Sequence, residues 1–189
     1  MEPGRVFVIT GPSGVGKGTL IARVREELPD LQLSTSATTR APRPGEVDGR
    51  EYHFLDEEEF ERRVQQGEFV EYATYSGNRY GTLSSEIEDR IEDGRPVILE
   101  VELPGARQIR DRIPDSVEVF ILPPTPEVLR ERLLSRGTDD EAAIDRRLET
   151  AATELEAAGE FEHRVVNGDV ELATEQLAAV IRAELSQST

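Results

Sequence analysis

The chain has no cysteine and no tryptophan, one methionine and two histidines, and among its 22 basic residues there is a single lysine. Without cysteine there is no disulfide and no thiolate metal site. The two histidines, His53 and His163, are too far apart in sequence to suggest a metal pair, and both are expected to be structural. No apolar run approaches the ~20 residues a membrane span needs. The first ten residues lack the charged n-region and apolar h-region of a secretory signal. These absences predict a soluble, cytoplasmic protein with no membrane partner.

Acidic residues are abundant. There are 39 against 22 basic ones, for a formal net charge of -17. Such a field repels nucleic acid, so no nucleic-acid partner is expected. It would also repel nucleotides unless basic groups gather locally. The acidic excess fits adaptation to a salt-rich medium, where it keeps a protein soluble, and it fits surface drift equally well. The 189 residues suit one compact domain with lobes, able to bury roughly two-thirds of its unfolded surface.

The basic residues are 21 arginines and Lys17. A compact ammonium can lie alongside a polyphosphate held by backbone amides, where a planar guanidinium is too broad. Lys17 sits in Gly11-Pro12-Ser13-Gly14-Val15-Gly16-Lys17, the phosphate-loop pattern of Gly, four residues, Gly, Lys. Its context is right. The β-branched run from Arg5 to Thr10 precedes it, and a helix is expected from about Lys17 to Leu28. Glycines let successive N–H groups turn inward onto phosphate oxygens, and the helix adds its positive N-terminal end. Lys17 would bridge the β and γ phosphates of ATP. The next position is Gly18, not the usual Ser or Thr, so Mg²⁺ is expected to be held by ATP phosphates and water with no direct protein ligand. Thr19 would contact an inner phosphate.

Further along, short strands are expected at 31–36, 51–55, 69–74, 78–80, 96–101 and 117–122, with a last one at 165–167. Helices are expected at 56–66, 84–93, from the prolines at 123–126 to about Ser135, from about Glu141 to Ala158, and at 170–185. Region 38–49 reads as an ordered loop, and 36–85 as a small β-rich insert. Strands alternating with helices indicate an α/β fold with a doubly wound parallel sheet.

Three segments together are more specific than the phosphate loop alone. They are the loop itself, Ser34-Thr-Ser36-Ala-Thr-Thr-Arg40-Ala-Pro-Arg43 running on to Tyr52-His-Phe, and Gly67-Glu-Phe-Val-Glu71 running on to Tyr80-Gly-Thr82. At these residues the chain closely resembles the guanylate kinase family. The resemblance implies a P-loop core at about 4–35, 95–124 and 160–186, a GMP-binding region at 36–90 and a helical lid at 125–158, within one domain over 4–186. It implies γ-phosphoryl transfer from ATP to GMP, and to dGMP, with Mg²⁺. Its partners would be ATP and GMP, in a monomer or homodimer.

The resemblance also assigns roles that chemistry supports. Arg40 and Arg43 would clamp the GMP phosphate, with hydroxyls from Tyr52 and Tyr80. Glu71 would accept from guanine N1–H and the 2-amino group, a donor pair adenine lacks. Ser36 and Thr82 would donate to guanine O6. Glu102 aligns with a base-facing Asp, one methylene longer, and Pro104 replaces the usual Gln. Glu100, near a strand end, would orient an arginine or metal-bound water. Lys17, Arg43, Arg136 and Arg147 would neutralise charge on the transferring group, Arg132 and Arg136 would contact ATP, and Asn167 would lie by the adenine. Arg130 and Arg146 are expected to face solvent or pair with acids. Two other readings stay open at this stage: a guanylate-kinase-like binding module, and a kinase of this fold acting on a ribose bisphosphate.

Overall fold

Val6–Thr10 is a run of β-branched and aromatic residues, all buried, and it forms strand β1. A strand covered on both faces reads as a continuous apolar run rather than an alternating one. The computed structural model describes residues 4–75, 77–135 and 141–187. After β1 the elements are α1 (Lys17–Glu27), β2 (Gln32–Leu33), β3 (Ala37–Thr38), β4 (His53–Phe54), α2 (Glu57–Gln65), β5 (Phe69–Tyr75), β6 (Asn78–Leu83), α3 (Ser85–Glu92) and β7 (Val97–Glu100). Then come α4 (Leu103–Arg112), β8 (Val117–Leu122), α5 (Pro126–Ser135), α6 (Glu141–Glu156), a 3₁₀ turn (Ala157–Glu160), β9 (His163–Val166) and α7 (Val170–Ser186). Among the described residues no helix is long and apolar enough to cross a membrane.

The chain forms two compact units. One comprises Phe7–Asp30 and Val117–Thr189. In it β1 runs parallel to β8, with Phe7 opposite Val117, and β8 runs parallel to β9, with Val119 opposite His163. Helices α1 and α7 pack together, and Arg23 reaches from one to Glu171 on the other at 2.8 Å. The start of α7 is fixed by Asp169, whose carboxylate accepts from the Leu172 N–H at 2.9 Å. A side-chain acceptor there satisfies an N–H that has no partner inside the helix.

The other unit comprises Met1–Val6 and Leu31–Ser116. It holds the parallel pair β2 and β7, and a four-stranded sheet of order β4-β3-β6-β5. Ala37, Phe60, Phe69 and Leu83 form a cluster beneath that sheet, with Phe60 and Phe69 stacked at 4.4 Å. Asp56 caps α2 by accepting from the Glu59 N–H at 2.7 Å.

Two sequence expectations change. The single strand expected at 31–36 is two short strands in different sheets: β2 pairs with β7, and β3 pairs with β4 and β6. Ser34, Thr35 and Ser36 form the crossing between them. Helix α4 occupies a stretch, between the strands expected at 96–101 and 117–122, for which no element is expected from the sequence. Pro104 lies in the first turn, where its missing N–H has no helical partner to lose. Arg112, near the end of α4, donates to the Phe69 carbonyl. Gln108 grips the Tyr72 backbone, donating to its carbonyl at 2.8 Å and accepting from its N–H at 3.2 Å. Together they seat α4 against β5.

Candidate active site

The first constellation lies between β1 and α1. Gly16 has φ 99°, and a Cβ there would fall 2.6 Å from Asn167 Nδ2. The backbone conformation and the close approach both require glycine. Lys17 opens α1, is only 6% exposed, and donates from Nζ to the Gly11 carbonyl at 2.6 Å. The ammonium is thereby folded over the loop's first residue, at its mouth. Pro12 and Val15 are buried, Ser13 and Gly14 half-buried, and Gly18 and Thr19 exposed on the first turn of α1.

The loop is braced through one carbonyl. Val15 O accepts from Arg132 Nη1 at 3.0 Å and from Asn167 Nδ2 at 2.8 Å, while Arg132 Nη2 donates to the Asn167 carbonyl at 2.8 Å. Arg132 comes from α5, and Asn167 follows β9. Both therefore hold the loop's shape, a task their sequence pattern did not reveal. Asn167 Oδ1 is buried with no hydrogen-bond partner among the described residues. Arg147 lies half-buried on α6, Arg146 is exposed, and Arg130 pairs with Asp145 at 3.3 Å on the surface. Arg136 lies outside the described residues.

The second constellation surrounds a cavity of about 280 Å³ in the other unit, lined by Ser34, Ser36, Tyr52, Glu71, Tyr80 and Glu102 among others. Glu71, on β5, is 5% exposed. Thr82 sits opposite it on β6 and donates its hydroxyl to Glu71 Oε1 at 2.8 Å. Burial pushes the Glu71 carboxyl up to about 7, opposed by the Thr82 hydrogen bonds and reinforced by the nearby charge of Glu102. A hydroxyl has one proton to give. Thr82, expected as a donor to a base oxygen, instead orients Glu71 in this state.

The rim of this unit carries the arginines. Arg40 places its guanidinium 5.3 Å from the Tyr52 ring and 5.7 Å from the Phe54 ring. Its fork closes on Glu46, with Nη1 to Oε2 at 3.0 Å and Nη2 to Oε1 at 2.9 Å. Glu46 also accepts from the Arg43 N–H at 2.7 Å. The Arg40 hydrogen bond, then that N–H, hold the Glu46 carboxyl below the usual carboxylate range. The Arg43 side chain is exposed on the same loop. Tyr52 and Tyr80 meet edge to face at 6.2 Å, and burial, then the charge of Glu100, push the Tyr52 phenol up.

The sequence profile of the guanylate kinase family matches residues 3–184. The chain belongs to the guanylate kinase family. It is 50% identical over 182 residues to a guanylate kinase of Rubrobacter xylanophilus, covering 96% of this chain and 95% of that one. It is 51% identical over 181 residues to a guanylate kinase of Synechococcus elongatus, covering 96% and 99%. The crystal structure of guanylate kinase from Anaplasma phagocytophilum superposes with a TM-score of 0.80 at 32% identity, covering 97% of this chain and 87% of that one.

Within this guanylate kinase fold the two departures noted in the sequence are accommodated locally. Glu102 occupies the N-cap position of α4 but makes no capping bond, and its side chain lines the cavity. Pro104 is exposed in the first turn. His53 pairs with Glu86 at 2.9 Å and His163 with Glu184 at 3.6 Å, both structural ties.

Sequence reasoning missed Glu46, Ser34 and Gly105. Ser34 stands two residues before Ser36, the spacing that puts side chains on one face of an extended segment, and this was the available signal. Its hydroxyl is buried with no hydrogen-bond partner among the described residues.

Proposed function

We propose that the chain transfers the γ-phosphoryl group of ATP to GMP, and also to dGMP, through the residues described above. The observation that carries this is the buried, hydroxyl-oriented Glu71 at a cavity rimmed by Tyr52 and Tyr80, in a chain that also has a phosphate loop with a buried Lys17. An ionised Glu71 accepts from guanine N1–H and the 2-amino group. Adenine presents no such pair, and binding it would leave a buried carboxylate unpaired.

Arg40 remains able to take a phosphate. Glu46 and the Ala41 carbonyl use three of its five N–H donors: both inner hydrogens of Nη1 and Nη2, and the outer one of Nη1. The remaining pair, on Nε and Nη2, forms the side-on fork that suits two phosphate oxygens. Tyr52, Tyr80 and Arg43 complete the acceptor's phosphate site.

The donor's phosphates lie on loop N–H groups between Ser13 and Thr19, with Lys17 leaving the Gly11 carbonyl for the β and γ oxygens. A GMP phosphate oxygen attacks the γ-phosphorus in line. The new bond makes GDP, the bond to the β-phosphate oxygen breaks, and ADP carries away the electron pair. Lys17, Arg43, Arg136 and Arg147 offset the charge spread over the transferring group.

Among the described residues no three His, Asp or Glu side chains converge on a metal position. The Mg²⁺ would arrive with ATP and keep phosphate oxygens and water as ligands, since Gly18 has no hydroxyl to offer it. When bound, it would supply positive charge that offsets the charge of the reacting phosphates.

A coupled assay of ADP release with GMP, dGMP, AMP, UMP and ribose bisphosphate tests the reading. GMP is expected ahead of AMP by about a thousandfold or more in kcat/KM. Turnover of no acceptor, or of AMP as well as GMP, contradicts it.

A further inference from the structure

We propose that Gly105 is a specificity-determining, positioning residue. The absence of a side chain there leaves the space in which Glu71 holds its carboxylate against the guanine edge. The inference rests on the reading of Glu71 given above.

Glu71 is confined on two sides. On one, Thr82 donates to Oε1. On the other, the first turn of α4 comes so close that a Cβ at position 105 would lie 2.5 Å from Glu71 Oε2 and 3.1 Å from its Cδ. Contacts under 3.0 Å are not tolerated by real Cβ atoms, so something must move. Backbone conformation does not demand glycine here, since Gly105 is absent from the glycines with positive φ. Helix propensity argues against it too, because alanine suits a helical position better. The remaining reason for glycine is the carboxylate.

The tight contact identifies what would move. Oε2 is the free end of a flexible side chain, while the next neighbour, Val101 Cβ, lies at a milder 3.3 Å. An added methyl group therefore displaces the Glu71 carboxylate, not the helix. Glu71 is packed on its other sides, and the open volume beside it is the cavity. In Gly105→Ala the carboxylate swings into the space the base should fill, and its two acceptor oxygens no longer face N1–H and the 2-amino group together.

The test compares GMP with inosine monophosphate, which keeps N1–H and the 6-oxygen but lacks the 2-amino group. Wild type, Gly105→Ala, Glu71→Gln and the double variant are assayed alongside thermal melts. Gly105→Ala is expected to melt cooperatively near the wild-type temperature, with the KM for ATP within about twofold. Its kcat/KM for GMP should fall by about tenfold or more, the scale of a lost charge-assisted hydrogen bond. The loss on inosine monophosphate should be smaller, so the preference between the two shrinks. In the Glu71→Gln background the same change should add little. An unchanged preference, a full additional loss in the Glu71→Gln background, or a Gly105→Ala protein that does not fold would each overturn the proposal. Wild-type protein inactive on GMP removes the Glu71 reading itself, and this proposal with it.

Discussion

Arg40 and Glu46 meet through two parallel bonds of 3.0 and 2.9 Å, with the guanidinium lying near the Tyr52 ring. The carboxylate takes the end-on fork and leaves the side-on fork for an incoming phosphate. Glu46 thus aims Arg40 without competing for it. Glu46→Gln substitutes an N–H for one acceptor and turns one of the two bonds repulsive. The KM for GMP should rise roughly tenfold, with the KM for ATP unchanged, as expected for a lost bidentate charge-assisted pair. Steady-state kinetics with each substrate varied in turn checks this; equal change in both constants would contradict it.

Guanine recognition should depend on pH through Glu71. Its carboxyl titrates at about 7 in the folded protein. Guanine offers donors, so only the ionised form binds. Below pH 7 the proton must leave first, and GMP affinity should fall about tenfold per unit. Calorimetry in buffers of different ionisation heat should find up to one proton released per GMP near pH 6. Glu71→Gln should bind weakly and without that dependence.

The same group links function to stability. A folded pKa above the unfolded value of about 4.5 means a stabilising contribution that is complete below pH 4.5 and is lost as pH rises to about 7. The difference amounts to about 3 kcal/mol in the unliganded protein. Glu71→Gln should therefore raise the melting temperature at pH 8 and leave it nearly unchanged at pH 4.5. Melts at the two pH values decide the matter.

Thr82 tunes that equilibrium. Its hydrogen bonds favour the ionised carboxylate. Thr82→Val keeps the shape and removes the hydroxyl, so the midpoint of the GMP-affinity profile should move to higher pH, while Thr82→Ser should hold it. An unshifted midpoint in the valine variant would show that the hydroxyl has another task.

At the donor site, Arg132 braces the phosphate loop through two separate carbonyls, those of Val15 and Asn167. A lysine has no planar fork to span both. Arg132→Lys should raise the KM for ATP several-fold and spare the KM for GMP. The reverse pattern, measured in the same assay, would place Arg132 elsewhere in the reaction.

Much of this was legible in the sequence. The buried run before Gly11 and the spacing to Lys17 announce themselves because strand burial and loop glycines are local. The segments holding Arg40, Tyr52, Glu71 and Tyr80 stand out by motif, and Tyr52, Glu71 and Tyr80 line one cavity. What they touch was not legible, since Thr82 meets Glu71 through strand register and Gly105 meets it through the approach of a helix. Helix α4 was hidden because proline and glycine signal a break almost everywhere except the first helical turn. That Arg132 and Asn167 also share the Val15 carbonyl was not legible, because it lies 117 and 152 residues away from them in the chain.

Lys17, the chain's lone lysine, is buried where the phosphate loop meets its helix. A protease that cuts after lysine therefore has one target in the whole polypeptide, hidden in the folded form. Scission into two fragments becomes a timer for transient opening at that junction, slowed by whatever occupies it. An amine-directed acylating reagent would, apart from the chain's amino terminus, carry a single-hit report from the same spot.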